Sequence, residues 1–357
     1  MIVFFVGTAA ELVKVAPVIR EVKQRKARFS VVSSGQNDLR GSELWALADI
    51  EGPDAVLSTR PIAPRATGLA SFIVRTTATS RRQMLDAFGG DAPRASKGVV
   101  HGDTVSTLMG ATLFKSIGAP VHHIEAGLRS FHLTEPFPEE ICRVLVTKLA
   151  SVAYCPNDWA AGHLRRRSLR KLVTGGNTLY DALELATREK PALPPLPDRY
   201  FILVVHRQEN LMGVGFLRGI VEKVRAAKNR PTCVFVMHAL TRAALERAGL
   251  YDELARDPSF VLLPRQPYVV FASILANAEY LVTDGGSNQE EAYYLGKPCL
   301  LMRRATERIE GLDSNVLLSK SPLEEIDGFL RDPSRFAHPR VHLDASPSAV
   351  IADDLCG

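Results

Sequence analysis

The feature that most constrains this chain is a series of short, continuous apolar runs, each followed at once by a polar cluster. MIVFFV (1–6), FSVVS (29–33), GVVH (98–101), PVHHI (120–124) and SVAYC (151–155) come first. A Pro-rich stretch, KPALPPLPDRY at 190–200, separates them from FILVV (201–205), CVFVM (233–237), FVLL (260–263), EYLVT (279–283) and PCLLM (298–302). Runs that stay apolar instead of alternating are strands covered on both faces, which means parallel sheets with helices on either side. Leu12, Val15, Ala16, Ile19 and Val22 repeat at the spacing of one helix face, and Pro17 predicts a late start or a kink there. A length of 357 residues exceeds one ordinary core. The pattern predicts an α/β chain of two facing Rossmann-like domains, 1–175 and 176–338, with a short helix in 339–357.

In open parallel sheets, ligands bind beyond the carboxyl ends of the strands. The polar clusters fall at those ends. Gly7-Thr8, Gly102-Asp103-Thr104 and Glu125 close three strands of the first half; His206, His238 and Asp284-Gly285-Gly286-Ser287 close three of the second. All six edges are expected to face one cleft between the domains.

The bulk numbers remove other classes. The net charge of +5 is spread along the chain, and its one dense run, RRRSLRK at 165–171, lacks interleaved aromatics and reads as a solvated helix end, so no nucleic-acid partner is indicated. A mild basic excess suits a small anionic substrate. The five cysteines (142, 155, 233, 299 and 356) form no CxxC pair and read as core thiols of a reducing compartment. No apolar run is long enough for a membrane helix, and MIVFFVG lacks the marks of a signal peptide, so the expected location is cytoplasmic with no membrane partner. There is no HExxH-type metal spacing, and GVGFLRG (213–219) is not a dinucleotide fingerprint.

In TDGGSNQEEAYYLG (283–296), a strand ends in a glycine turn that opens a helix near Ser287. Free N–H groups at a helix start suit phosphate, and Gly285 and Gly286 allow close approach. A carboxylate one turn further in, at Glu290 or Glu291, suits ribose hydroxyls, which favours a nucleoside diphosphate; an ordinary N-capped helix fits as well. VVHRQEN (204–210) adds His206, Arg207 and Asn210 as donors for a pyrophosphate. In the first half, Asp103, Glu125 and Glu139 are the informative acids. Carboxylates that converge repel one another, which raises a pKa toward the range a carbon base needs. Arg129 and Arg143 are placed to hold the others ionised. Taken alone, Glu139-Glu140 after Pro138 is an ordinary acidic helix start.

GTxxELxKxAPVI (7–19), VHGDTxST (100–107), HIEAGLRS (123–130), PFPEEICR (136–143), TGGNTLYDAL (174–183), HRQEN (206–210), TDGGSNQEEAxxLGKP (283–298) and MRRATERIEG (302–311) occur in the order of one family. Over nearly its whole length the chain resembles the non-hydrolysing bacterial UDP-N-acetylglucosamine 2-epimerases, which have the GT-B fold with an interdomain active-site cleft. The resemblance implies interconversion of UDP-GlcNAc and UDP-ManNAc, for surface polysaccharide or related glycan synthesis. UDP is eliminated across C1–C2 to give 2-acetamidoglucal, then added back with the proton on the other face. No cofactor or metal is implied, homodimers are usual, and the helix in 339–357 is expected to pack back on the first domain. Asp103, Glu125 and Glu139 match the essential carboxylates, and His206 the essential histidine near the pyrophosphate. Asp103 and Glu139 are assigned the C2 proton transfers, with Glu125 orienting the sugar. Lys14, Arg129, Arg143, Asn210, His238, Phe271 by the uracil, Gly285, Gly286, Ser287, Glu291 on the ribose and Arg308 complete the expected substrate contacts. A hydrolysing relative that releases ManNAc and UDP, and a GT-B glycosyltransferase, are the alternatives.

Three departures stand out. Ala9 occupies the place of an arginine, the glycine turn is shifted to Gly285-Gly286-Ser287, and GQNDLRGSELW (35–45) replaces a stretch that binds a second, activating nucleotide sugar in many members. The first two admit a modified nucleotide hexosamine. The third predicts weak or absent activation by substrate: initial rate against UDP-GlcNAc concentration should be hyperbolic, and a clearly sigmoidal curve would contradict it.

Overall fold

A computed structural model describes residues 1–57, 80–131, 138–165, 168–212, 214–312 and 314–357. Residues 132–137, among them Pro136 and Phe137 of the PFPEEICR motif, lie outside the described residues, as do Arg166 and Arg167 of RRRSLRK. Contacts divide the chain into two compact units, Met1–Ala182 with Leu343–Gly357, and Leu183–His342.

The first unit holds a seven-stranded, all-parallel sheet: β1 (Ile2–Val6), β2 (Phe29–Ser33), β3 (Ala55–Val56), β4 (Lys97–His101), β5 (Val121–Ile124), β6 (Val152–Cys155) and β7 (Arg170–Val173), in the order β3-β2-β1-β4-β5-β6-β7. The second unit repeats the plan with six strands: β8 (Tyr200–Val204), β9 (Thr232–Met237), β10 (Phe260–Pro264), β11 (Leu281–Thr283), β12 (Cys299–Met302) and β13 (Val316–Ser319), ordered β10-β9-β8-β11-β12-β13. Both are Rossmann-like sheets. Strand order reverses between β1 and β4 in one and between β8 and β11 in the other, which opens a crevice at those strand ends.

Three strands were not picked out from the apolar pattern: β3, β7 and β13, the last despite its Val316-Leu317-Leu318 run. At the described end of RRRSLRK, Arg170 and Lys171 open β7 instead of closing a helix. β7 is an edge strand whose side chains are mostly exposed, so it needs no apolar run, and charge at an edge discourages unwanted pairing. The helix Ala9–Gln24 starts early and runs through Pro17. A capping box sets its start: Thr8 Oγ1 accepts from Glu11 N–H while Glu11 reaches back to Thr8 N–H.

The helix Pro347–Cys356 belongs to the first unit. Arg25 donates to Asp353 at 2.8 Å, Lys97 to the Leu355 carbonyl at 2.8 Å, and Tyr154 to Asp354 at 2.7 Å. His122 Nδ1 meets the Tyr154 hydroxyl at 2.9 Å beneath that helix, while His123 Nε2 donates to the Gly102 carbonyl at 2.7 Å on the opposite face of β5. No helix among the described residues is long and apolar enough to cross a membrane.

Burial pushes His122 and His123 down from 6.5 to about 4. Between those values the unfolded chain binds protons that the native protein refuses, so stability rises with pH across that window and falls on acidification. The urea midpoint should therefore drop between about pH 7 and about pH 5, and the drop should shrink in His122→Gln. A wild-type midpoint that is flat over this range would contradict the assignment.

Candidate active site

In the first unit the strand-end acids are gathered around two neighbours. Arg143, only 2% exposed, donates to Asp103 and, at 2.6 Å, to Glu140. It reaches them from the helix Glu139–Leu149, one turn after Glu139 and Glu140 open it. Glu140 in turn receives Arg129 Nε and the Ser130 N–H, the latter at 3.2 Å. Burial acts to raise the Glu140 carboxyl, but the Arg129 and Ser130 bonds and the nearby Arg143 charge carry it below the usual value. Asp103 and Glu139 both bear on the Cys142 thiol, which burial first and then these two charges push up to about 12. Asp103 and Glu125 both bear on His123.

Glu125 stands at the end of β5 with φ 62°, a left-handed backbone unusual for a residue with a side chain. Its Oε2 accepts from Lys14 and, at 2.7 Å, from Asn177 Nδ2; His101 Nε2 lies 3.4 Å away. Lys14 comes from the helix Ala9–Gln24, on the same side as Glu11 one turn earlier. Glu11 is buried and accepts from Gly7 N–H at 2.6 Å and from the Thr104 hydroxyl. Burial holds its carboxyl above the ordinary value despite those bonds.

In the second unit Asp284, fully buried after β11, organises the site. It accepts from His206 N–H at 3.0 Å, Arg207 N–H at 3.0 Å and Asn210 Nδ2 at 3.0 Å. The Asn210 amide therefore has a structural bond of its own besides any ligand. The His206 ring stacks on His238, centroids 4.9 Å apart. Burial pushes His206 below its usual pKa against the pull of Asp284, and pushes His238 down to about 4. The helix Gly286–Leu295 begins beside two guanidinium groups. A Cβ on Gly286 would stand 3.0 Å from Arg308 Nη1 and 3.1 Å from Arg303 Nη1, and one on Gly285 would stand 2.8 Å from His206 Cε1. Glycines are needed here because side chains already crowd the turn. Arg308 donates to Glu290 at 2.8 Å and also to Glu307, and Arg303 donates to Glu307 at 2.9 Å. Burial lowers Arg303 from its ordinary pKa, and its Nη1 has no hydrogen-bond partner among the described residues. Glu291 accepts from Asn288 at 2.8 Å, so of the adjacent acids Glu290 is committed to Arg308. Ser287 lies in the first turn, and Phe271 is half-buried on the helix Tyr268–Asn277.

Within the first unit Arg143 joins Asp103 to Glu140 and Lys14 meets Glu125; within the second, His206 and Asn210 meet on Asp284, His238 stacks on His206 and Gly286 lies beside Arg308. Sequence reading missed Glu11, His101, Asn177 and Arg303, and named Asp284 only as a strand end. Thr8-x-x-Glu11 carried a readable capping-box signal; the others lay inside quoted motifs without a spacing that marks them. No group of three or more His, Cys, Asp or Glu side chains among the described residues is arranged to hold a metal ion.

The sequence model of a family described as UDP-N-acetylglucosamine 2-epimerase matches residues 20–327. The chain is 28% identical over 333 residues to the UDP-N-acetylglucosamine 2-epimerase of Methanococcus maripaludis, covering 88% of this chain and 87% of that one. It is 34% identical over 219 residues to the UDP-2,3-diacetamido-2,3-dideoxy-D-glucuronate 2-epimerase of Pseudomonas aeruginosa, covering 59% and 60%. Among solved structures, the UDP-GlcNAc 2-epimerase of Neisseria meningitidis bound to UDP-GlcNAc superposes with a TM-score of 0.82 at 25% identity, covering 99% of this chain and 98% of that one. The fold is accordingly the GT-B type expected from the resemblance, and this chain belongs to the UDP-N-acetylglucosamine 2-epimerase family.

Proposed function

We propose that this enzyme interconverts the C2 epimers UDP-GlcNAc and UDP-ManNAc, or a closely related nucleotide hexosamine, without releasing free sugar. What supports the reading is how the acids of the first unit are held: Arg143 joins Asp103 to the helix that Glu139 opens, and Lys14 and Asn177 hold Glu125. The C2 hydrogen of an N-acetylhexosamine is not acidic enough for simple removal. Loss of UDP from C1 with the C2 proton gives the 2-acetamidoglucal, and addition of UDP with a proton on the other face gives the epimer. Two proton carriers are needed, and Asp103 and Glu139 take these roles. Arg143 fixes the direction of Asp103. Glu125, pinned by Lys14 and Asn177, orients the sugar.

The second unit supplies the grip on the leaving group. Helix N–H groups at Gly286 and Ser287, with Arg303, Arg308 and His206 beside them, suit a departing diphosphate whose charge grows as the C1–O bond breaks. Glu291 takes the ribose and Phe271 the uracil. Arg129 and His238 complete the substrate contacts. The partial match to the diacetamido-glucuronate enzyme, and Ala9 in place of an arginine, support a substituted hexosamine as the alternative sugar. Supply of an activated sugar for surface polysaccharide or a related glycan, by a homodimer, is the biological setting this reading implies.

One experiment tests the reading. Incubation with UDP-GlcNAc in deuterated water should place deuterium at C2 of both UDP-sugars with no accumulating UDP. Glu139→Gln should slow that exchange by about a hundredfold or more while UDP still binds. Free ManNAc and UDP would establish the hydrolysing outcome instead. Absence of any exchange in the wild type would refute epimerisation, and a fully active Glu139→Gln would refute the role of Glu139.

A further inference from the structure

Arg303 follows β12 directly and reaches the start of the helix Gly286–Leu295. Its Nη1 stands 3.1 Å from where a Cβ on Gly286 would be, so it lies at the first residue of that helix. The side chain is 5% exposed. Nη2 donates to Glu307 at 2.9 Å, while Nη1 has no hydrogen-bond partner among the described residues. Buried polar atoms are nearly always partnered, so an unmet guanidinium N–H calls for a reason. The neighbouring Arg308 differs, because Glu290 and Glu307 both accept from it. Burial first, and then the charges of Arg207 and Arg308, work against the Arg303 charge and outweigh the pull of Glu307. An anion arriving at the helix start relieves that burden. His206 faces the same turn, since a Cβ on Gly285 would stand 2.8 Å from its Cε1. The unmet N–H and the helix start therefore address one place, and that place suits a phosphate.

We propose that Arg303 Nη1 is the donor that meets the β-phosphate oxygen released from C1, and so keeps UDP on the enzyme until it is added back. The inference rests on the reading that UDP is eliminated and returned, and it names the residue that decides between return and escape. In elimination the C1–O bond breaks and its electron pair passes to the β-phosphate. C2 gives its proton to a carboxylate, and C1 and C2 become doubly bonded. UDP then carries one more negative charge than it did within the sugar nucleotide. A bridging oxygen is a poor acceptor and a freed phosphate oxygen is a strong one. A donor left unspent until that moment therefore favours departed UDP over the intact substrate. Both fragments are then held by non-covalent contacts alone. If UDP dissociates, the glucal has nothing to add, and the turnover ends in UDP and 2-acetamidoglucal with no water consumed. If UDP stays, the C1–O bond re-forms, C2 regains a proton, and either epimer leaves whole. Arg303 sets this partition.

The test follows the full-length wild type, Arg303→Met and Arg303→Lys with UDP-GlcNAc in deuterated water by phosphorus and proton NMR, with UDP affinity measured by calorimetry. Methionine fills buried space without an N–H and leaves Glu307 paired with Arg308. In Arg303→Met the Kd for UDP should rise about tenfold or more while the KM for UDP-GlcNAc stays within about threefold. UDP and 2-acetamidoglucal should accumulate in equal amounts, and the wild type should release neither over the same number of turnovers. Should Arg303→Met fail to fold, Arg303→Lys decides. Lysine keeps a charge beside Glu307 but loses the forked N–H groups, so it should leak as well. A folded variant that releases no glucal, whether or not it still exchanges deuterium at C2, overturns the proposal. A wild type that shows no C2 exchange would instead remove the elimination reading, and this inference with it.

Discussion

Two buried carboxylates, Glu11 and Asp284, hold open the places where the sheets of this enzyme reverse their strand order. Each collects two successive backbone N–H groups from the loop after the central strand of its unit: Gly7 and Thr8 for Glu11, His206 and Arg207 for Asp284. A turn at a strand end leaves such donors unsatisfied, and burying them without acceptors costs about 1–3 kcal/mol each. A carboxylate satisfies both at once and fixes the path of the loop. Glu11 also receives Thr104, which ties the loop after β1 to the helix start after β4.

Arg143 shows the same logic applied to reactive groups. A guanidinium with almost no access to water must be paired, and it is paired with Asp103 and Glu140. Breaking such a buried pair costs about 3–5 kcal/mol, so the helix that carries Glu139 is locked to the turn that carries Asp103. Two acids from distant parts of the chain thereby keep a fixed relation. Glu140 extends the lock to Arg129, and so to the segment after Glu125. Of the adjacent acids 139 and 140, the second is spent on structure. In the second unit Arg308 donates to Glu290 and Asn288 to Glu291.

Much of this was legible in the sequence. Fully apolar runs marked every strand that is covered on both faces, and polar residues directly after them marked the strand ends where ligands meet such sheets. What stayed hidden had physical reasons. β3 and β7 sit at sheet edges, where exposed side chains carry no apolar pattern, and the charged Arg170 and Lys171 disguised β7 as a helix end. The helix through Pro17 was set by its capping box, a local signal that outweighs one lost hydrogen bond. Glu11, Asn177 and Arg303 act through partners far away in sequence, which no spacing rule reveals. His101 looked like the end of a buried strand, which it is; its nearness to Glu125 arises only when β4 and β5 pair.

The central claim is that the bond between C1 and the diphosphate breaks and re-forms while the acids of the first unit move the C2 proton. The most direct measurement follows a heavy-oxygen label placed in that bridging position of UDP-GlcNAc. Elimination and re-addition predict that recovered UDP-sugar carries the label scrambled among the β-phosphate oxygens, at a rate no slower than epimerisation. Inversion at C2 with the label still wholly in the bridge would contradict the account.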